Sequence, residues 1–202
     1  FRPLSVQMNV ACPPNEGNPY DSDVALSEDP GAVKALKSAI EFHMKHLNIS
    51  DDGGQFVANT NLGLCNSLLN NSTTAAKHHQ DALRIAIRMQ SFSGQSVAVG
   101  NLGLLSFRGG DTQTAKACLE QHLQLTQSLK DSTAEVYAWT LLGEISNADG
   151  DYDQAVHYYE QGRKLATNKN LRGFLKKIST LLGISLGSKR MEETFKELAL
   201  NS

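Results

Sequence analysis

A short motif recurs along the chain at a constant interval, and this recurrence limits the possible folds more than any other feature. The stretch VANTNLGLC at residues 57–65 is followed forty positions later by VAVGNLGLL at residues 97–105. Each copy is marked by a glycine, and in the first three copies an alanine follows twelve residues later, whereas the fourth copy has Phe195 there. The glycines are Gly63, Gly103, Gly143 and Gly183, and the alanines are Ala75, Ala115 and Ala155. A fixed period of this length is typical of solenoids, in which each repeat packs against its neighbours.

The pattern inside each copy is helical. Val97, Asn101 and Leu104 recur at intervals of three to four residues, as on one helix face. The pairs at residues 110–111 and 150–151 are Gly-Asp, in which glycine permits a sharp reversal and aspartate can cap the next helix. We therefore predict about nine helices, near residues 31–48, 54–69, 72–90, 94–109, 112–130, 134–149, 152–168, 172–186 and 190–200.

The copy EVYAWTLLGEISNADGDYDQAVHYYEQGRKLA resembles a tetratricopeptide repeat. It has Trp139, Leu142, Gly143, Ala155 and Tyr159 at the spacings of that family. The common unit has about 34 residues, and this forty-residue form is similar to the repeats of the Leu-Gly-Asn spindle-orientation adaptors. The resemblance implies an all-α fold, a right-handed superhelix of antiparallel helical hairpins. It also implies that the first helix of each unit lines the concave side.

The period divides the chain into units. We predict a turn-rich extended arm at 1–30, an orphan second helix of a degenerate repeat at 31–54, three complete units at 55–94, 95–134 and 135–174, and a C-terminal partial or capping unit at 175–202. The prolines and acidic residues of PPNEGNPYDSD are the reason for predicting the arm.

Composition removes several classes of function. The net charge is −2 and there is no basic run, so we expect no binding to nucleic acid. Without a run of about eighteen apolar residues we expect no membrane insertion. Cys12, Cys65 and Cys118 are too few and too far apart for a disulfide framework, which favours a reducing compartment and a cytoplasmic location. Cys65 and Cys118 fall at core-like positions.

Catalytic and metal-binding patterns are missing from the sequence. His43 and His46 share a helix face, but no cysteine or carboxylate is placed to complete a zinc site. His79 and His122 fall on the packed side of second helices, where hydrogen-bonded structural histidines are expected. No phosphate loop, nucleophile elbow or carboxylate pair occurs. We therefore expect no enzymatic activity, no cofactor and no metal.

The first helices of the units supply the candidate binding residues. No charged residue occurs in residues 53–76 or in residues 89–107, and an uncharged helix face is either buried or reserved for a partner. Both alternatives stay open from the sequence. The predicted partner contacts are Val57, Asn61, Leu64, Asn101, Leu104, Phe107, Arg108, Tyr137 and Glu144. Glu144 is also expected to be solvated.

Asn61 and Asn101 occupy the same position in successive units. A carboxamide both donates and accepts hydrogen bonds, so a ladder of asparagines can pair with the backbone of an extended peptide. The resemblance to the Leu-Gly-Asn adaptors implies such a ladder. The structural alternatives are an interhelical hydrogen bond and a plain polar residue at the rim of the groove.

A chaperone-type carboxylate clamp is excluded by the residues at its positions. Such a clamp needs lysine, asparagine and arginine to hold a terminal carboxylate through charge-assisted hydrogen bonds. Here those positions are Thr60, Leu64, Tyr137 and Leu141. We therefore expect a protein or peptide partner that is not recognised by its carboxyl terminus.

These features predict a non-catalytic adaptor that binds a partner segment in its concave groove. Two alternatives share the architecture. One is an architectural component of a large assembly, cytoskeletal or ciliary, that uses its convex surface and edges. The other is a regulatory domain that senses a short peptide.

Overall fold

Eight helices, joined by short connections, make up the part of the chain that the computed structural model describes, residues 29–200. They are α1 (Pro30–Ile49), α2 (Asp52–Leu68), α3 (Ser72–Arg88), α4 (Phe92–Arg108), α5 (Thr112–Leu129), α6 (Ser132–Ala148), α7 (Tyr152–Asn168) and α8 (Arg172–Leu200). Each helix packs against the one before it and the one after it. The all-α prediction is confirmed, with α2/α3, α4/α5 and α6/α7 as three successive hairpins.

The same type of turn, which we call a joint, ends one helix and begins the next every twenty residues. A residue with left-handed backbone, φ between 53° and 81°, closes each of six helices: Asn70, Gln90, Gly110, Lys130, Gly150 and Asn170. The following residue often caps the next helix; Asp111 and Asp151 each accept a hydrogen bond of 3.0 Å from a backbone N–H three residues later. These caps satisfy N–H groups that have no partner within the helix.

The last helix corrects the predicted boundaries. We expected separate helices at 172–186 and 190–200, and instead α8 runs without a break from Arg172 to Leu200. Arg190 and Met191 stand where earlier joints have pairs such as Gly150 and Asp151. Neither residue favours left-handed backbone or offers a capping oxygen, so nothing ends the helix there.

Glycine allows the two helices of each hairpin to approach closely. A Cβ atom added to Gly143 would lie 2.5 Å from a ring carbon of Tyr159, and one added to Gly63 would lie 2.4 Å from the His79 ring. At Gly103 the nearest atom, in Leu119, would be 3.0 Å away. The glycines at these three positions therefore serve hairpin packing.

The core is a continuous series of clusters rather than a single centre. Each of three clusters joins three consecutive helices: α2, α3 and α4; α5, α6 and α7; and α6, α7 and α8. Every hairpin is thus stabilised by apolar burial against its neighbours. None of the described helices has the length and apolar character needed to cross a lipid bilayer.

Candidate functional site

The first helices of the hairpins line one side of the stack. Helices α2, α4, α6 and α8 contact each other from hairpin to hairpin, whereas within residues 29–200 the second helices α3, α5 and α7 make no comparable backbone contact with each other. Helices that approach each other more closely lie on the inner side of a curved stack. The inner side is therefore formed by the helices that carry all nine predicted contact residues.

All nine predicted residues keep some exposure. Seven are half-buried, namely Val57, Asn61, Asn101, Leu104, Phe107, Tyr137 and Glu144, and two are exposed, Leu64 and Arg108. Their neighbours on the same helices, such as Ala58, Leu62 and Ala138, are fully buried. Each inner helix thus presents one face to the core and a different face to the groove.

Apolar side chains from two inner helices form a wall in the middle of the groove. Leu104 and Phe107 of α4 and Tyr137 of α6 pack against the cluster that joins α5, α6 and α7. They remain only half-buried, so part of each side chain is open to solvent. Packing on one side holds these side chains in place, and the other side leaves apolar surface open to solvent.

Arg108 ties two inner helices together at the groove edge. Its Nη1 atom donates a hydrogen bond of 3.1 Å to the hydroxyl of Ser67 on α2. Arg108 is the last residue of α4, and its side chain is exposed. The hydrogen bond therefore holds the guanidinium at the end of α4, on the inner side of the stack.

Glu144 is held by an ion pair, which corrects the expectation that it is solvated. Its carboxylate lies 2.8 Å from the ammonium of Lys177 on α8, and its side chain is only 11% exposed. Nearby, Ser185 donates a hydrogen bond of 2.6 Å to the side-chain oxygen of Asn147. Sequence reasoning missed Lys177, although it stands forty residues after Tyr137 and therefore occupies an inner-face position.

The asparagines of α2 differ in their hydrogen bonds. Asn59 and Asn66 are buried, and each donates to a backbone oxygen of its own helix. The Asn59 side-chain oxygen also lies 2.9 Å from the Nδ1 atom of His78. Asn61 and Asn101, by contrast, are half-buried and form no side-chain hydrogen bond with another residue in the described part of the chain. The interhelical alternative is therefore not what the structure shows at these two positions.

The two packed histidines differ in their hydrogen bonding. His122 is buried, and its Nδ1 atom lies 2.8 Å from the Ser96 carbonyl oxygen. His79 is 1% exposed, and its Nδ1 atom has no hydrogen-bond partner among the described residues, so the expectation of a hydrogen-bonded histidine is wrong for that atom. Burial lowers the pKa of His122 and lowers the pKa of His79 to about 4.

The cysteines show no sign of shared chemistry. Cys65 is buried, as predicted, whereas Cys118 is only half-buried. Burial raises the pKa of both thiols, which makes them poor nucleophiles. Within residues 29–200 no three His, Cys, Asp or Glu side chains come close enough together to hold a metal ion. Cys12 lies outside the described residues.

Comparison with known proteins identifies the repeat. A family model for the tetratricopeptide repeat matches residues 95–168, which include α5, α6, α7 and all but the first three residues of α4. No curated protein matches the chain. The repeat assignment therefore comes from the family model and from solved structures.

Three solved structures are similar in fold, each at low sequence identity. Aspartyl phosphate phosphatase F from Bacillus subtilis has a TM-score of 0.68 at 16% identity over 88% of this chain, which spans only 45% of that protein. A Podosopora anserina protein described as a kinesin light chain with nearly identical TPR-like repeats has a TM-score of 0.63 at 16% identity, covering 90% of this chain and 87% of that one. BtubC (BKLC) from P. vanneervenii has a TM-score of 0.61 at 12% identity, covering 88% and 85%.

The sequence match and the fold indicate the same type of repeat. The family model covers two consecutive hairpins. The hairpin α2/α3 precedes them in the chain and has the same type of joint. Residues 95–168 are therefore tetratricopeptide repeats, and the described chain has the fold of TPR-like repeat proteins.

Proposed function

We propose that this protein binds an extended segment of a partner protein in the groove lined by α2, α4 and α6. Tetratricopeptide repeats generally serve as protein–protein interaction scaffolds, and we assign this chain a binding role rather than a catalytic one. The observation that carries the proposal is the exposure and hydrogen bonding of Asn61 and Asn101. Both carboxamides are partly exposed on adjacent inner helices, and neither has a side-chain hydrogen-bond partner in the described chain.

The spacing of these asparagines suits an extended peptide. Packed helices lie about 8–10 Å apart, and an extended chain advances about 3.3 Å per residue. Carboxamides on neighbouring inner helices can therefore pair with backbone groups about three residues apart. Such pairing does not depend on the partner's side chains, because every residue except proline has the same backbone N–H and C=O groups.

The side-chain preference of the groove follows from its lining. Leu104, Phe107 and Tyr137 offer apolar surface, and residues 53–76 and 89–107 contain no charge. Glu144 is already neutralised by Lys177. We therefore propose that apolar side chains of the partner pack in the middle of the groove and that Arg108 pairs with a carboxylate or carbonyl oxygen at its edge.

The test uses a peptide selected from a displayed library of random extended peptides. Binding of the fluorescently labelled peptide is measured by anisotropy to the wild type, to a variant with Asn61→Ala and Asn101→Ala, and to a control with Asn48→Ala and Asn168→Ala. The control asparagines are exposed on α1 and α7, away from the groove. Each hydrogen bond contributes about 0.5–1.5 kcal/mol, so loss of one at each asparagine is expected to weaken binding about five- to 150-fold.

The result is decisive only if the folded state is preserved. Circular dichroism and thermal denaturation of both double variants should match the wild type, because all four asparagines are at least partly exposed. Equal affinity of the folded groove variant and the control variant would refute the proposed ladder. If no groove substitution, including Phe107→Ala, weakens binding of the selected peptide, the groove is not the binding site.

A further inference from the structure

Two of the three hairpins carry a buried histidine where their helices meet. His79 on α3 is 1% exposed, and His122 on α5 is 6% exposed. In the third hairpin, α6/α7, the same repeat positions hold Tyr159 and Gly162, and the one histidine of that hairpin, His157, is exposed. Histidine ordinarily gains a proton between about pH 8 and pH 5. The first two hairpins therefore contain buried groups that mild acid can protonate, and the third does not.

The ring of His79 fills the contact between α2 and α3. A Cβ atom added to Gly63 on α2 would lie 2.4 Å from Cε1 and 2.5 Å from Nδ1 of this ring. That Nδ1 atom has no hydrogen-bond partner among the described residues. A protonated imidazole has an N–H on both nitrogens, so protonation would place a positive charge and an N–H without an acceptor in the contact. Both raise the free energy of the closed hairpin.

The helix that carries His79 gives it no counter-ion. The one carboxylate of α3, Asp81, pairs with Arg84 at 2.6 Å. The remaining charged side chains of α3 are the cations Lys77 and Arg88. Burial lowers the pKa of His79 to about 4, and the neighbouring His78 contributes to the decrease.

The two helices packed against α3 give the ring no counter-ion either. On α2, residues 53–68 contain no charged side chain, and Cys65 is their one titratable group. Asp52, the first residue of α2, already pairs with a cation of α3. On α4, residues 92–107 contain no charged or titratable side chain, and the helix ends on a cation, Arg108. A proton on the buried ring would therefore meet no carboxylate that lacks a partner.

His122 lies in the contact between α4 and α5. Its Nδ1 atom is 2.8 Å from the carbonyl oxygen of Ser96 and would be 3.1 Å from a Cβ atom added to Gly100. Burial lowers the pKa of His122, and the Ser96 carbonyl and the charge of Asp131 partly oppose this decrease. Acid therefore acts on the second hairpin with the same sign as on the first.

The other carboxylates of the elements around α5 have partners of their own. On α6, Glu135 accepts a hydrogen bond of 3.2 Å from Gln127, and Glu144 pairs with Lys177. At the start of α5, Asp111 accepts a hydrogen bond from a backbone N–H of that helix. The exposed Glu120 and Lys116 are the other charged side chains of α5.

We propose that mild acid loosens the hairpins α2/α3 and α4/α5 of this chain while the hairpin α6/α7 stays closed. Each repeat of a solenoid contacts only its neighbours, so one section can open without the rest. An open hairpin binds the proton that the closed hairpin excludes, and stability is therefore lost as the pH falls below about 6.5. For His79, whose pKa falls to about 4 in the closed hairpin, the opening equilibrium constant should rise about twentyfold between pH 7 and pH 5.

The third hairpin has no equivalent response in this pH range. Burial raises the pKa of Tyr159, so its hydroxyl stays neutral in acid. Carboxylates ordinarily titrate near pH 4, below the range in which the buried histidines act. The hairpin α6/α7 is thus an internal control within the same chain.

The acid-sensitive section carries both asparagines of the groove, Asn61 on α2 and Asn101 on α4. One consequence rests on the proposed function: a groove partner and acid should oppose each other, because a partner that binds only the closed form stabilises it. The experiment below uses the chain without a peptide. Failure of acid-induced opening and failure of peptide binding are therefore separate results.

Hydrogen–deuterium exchange of the 202-residue chain, read by mass spectrometry, measures the opening of each helix at pH 7 and pH 5. Dividing each rate by the intrinsic rate of an unfolded peptide at the same pH gives a protection factor. In the wild type the protection factors of α2 and α3 should fall about twentyfold. Those of α4 and α5 should also fall, whereas those of α6 and α7 should not.

Substitutions assign the response to its residues. His79→Leu and His79→Tyr introduce the residues found at the same repeat position, Leu119 and Tyr159, and both should remove the response of α2 and α3 while α4 and α5 keep theirs. His122→Gln should do the reverse. The matched control is His157→Leu, which replaces an exposed histidine on α7 and should exchange like the wild type.

Other results would overturn the proposal. An equal loss of protection in all three hairpins would show that acid acts on the whole stack, and no loss in any of them would show that the buried histidines do not respond. A loss in α2 and α3 that persists in a folded His79 variant would show that another group is its source. If circular dichroism shows that neither His79 variant folds, the comparison of hairpins within the wild type still decides.

Discussion

At the scale of single residues, the repeat depends on positions where no side chain fits. Gly143 and Gly183 occupy the same position in successive copies, yet one faces the ring of Tyr159 and the other faces open space. The same residue type therefore has opposite consequences at these two positions. The ring of the buried His79 likewise lies against Gly63, where an added Cβ atom would be 2.4 Å from the ring.

The two glycines give a matched prediction. Gly143→Ala places a methyl group 2.5 Å from the buried Tyr159 ring, and overpacking of this kind costs about 1–3 kcal/mol. At Gly183 an added Cβ would have no described atom within 4 Å, and alanine favours a helix over glycine by about 1 kcal/mol. Urea denaturation should therefore show a less stable Gly143→Ala variant and a Gly183→Ala variant at least as stable as the wild type. Equal effects of the two substitutions would contradict the packing described for the hairpin.

His79 predicts how stability depends on pH. Burial lowers its pKa from 6.5 to about 4 in the folded chain, so between these values the unfolded chain binds the proton and the folded chain does not. The free energy of unfolding should therefore fall as the pH drops from about 6.5 towards 4, by on the order of 1–2 kcal/mol between pH 7 and pH 5. Urea denaturation at both pH values measures this loss.

The matched variant is His79→Leu, because leucine occupies the same position at Leu119 in the next repeat. Its stability should depend less on pH than that of the wild type. Some dependence should remain, since burial also lowers the pKa of His122. An unchanged pH dependence in the His79→Leu variant would rule out His79 as its source.

At the scale of helices, the joints determine where each element ends. Six helices close on a residue with left-handed backbone, and only two of those residues, Gly110 and Gly150, are glycines. The other joints adopt the same conformation with asparagine, glutamine or lysine, at a steric cost that glycine does not have. Where neither a suitable residue nor a cap occurs, at Arg190 and Met191, the helix simply continues.

The steric cost of left-handed backbone can be measured at Lys130. Its φ is 56°, and its side chain is exposed. Lys130→Gly should raise the free energy of unfolding by about 0.5–1 kcal/mol, because glycine adopts left-handed backbone without strain. Lys116→Gly, within α5, should lower it by about 1 kcal/mol. Thermal denaturation compares the two variants, and a Lys130→Gly variant that melts below the wild type would contradict the prediction.

At the scale of the whole molecule, stability and function both follow from stacking in one dimension. Each core cluster joins three consecutive helices, so the two ends of the described stack lack a neighbour by construction. The groove and the open ends are separate surfaces: the groove lies on exposed faces of α2, α4 and α6, and the ends are α1 and α8.

Much of the fold could be predicted because its determinants are local. The joints at residues 110–111 and 150–151 combine a glycine with a capping aspartate, and both features act within a few residues of the chain. The continuity of α8 also has a local cause, because Arg190 and Met191 provide neither a residue that favours left-handed backbone nor a capping oxygen. Helix position thus depends on local backbone preferences that can be read in order along the chain.

The repeat pattern alone indicates a stack of helical hairpins and places the candidate groove on the first helix of each one. The packing of the helices was needed to show that Asn59 is buried and hydrogen-bonded while Asn61 is partly exposed, and that Lys177 pairs with Glu144. It also showed that Gly183 has no packing partner in the described chain. Burial, ion pairs across helices and open faces depend on residues far apart in sequence, and repeat spacing specifies which positions are equivalent but not what packs against them.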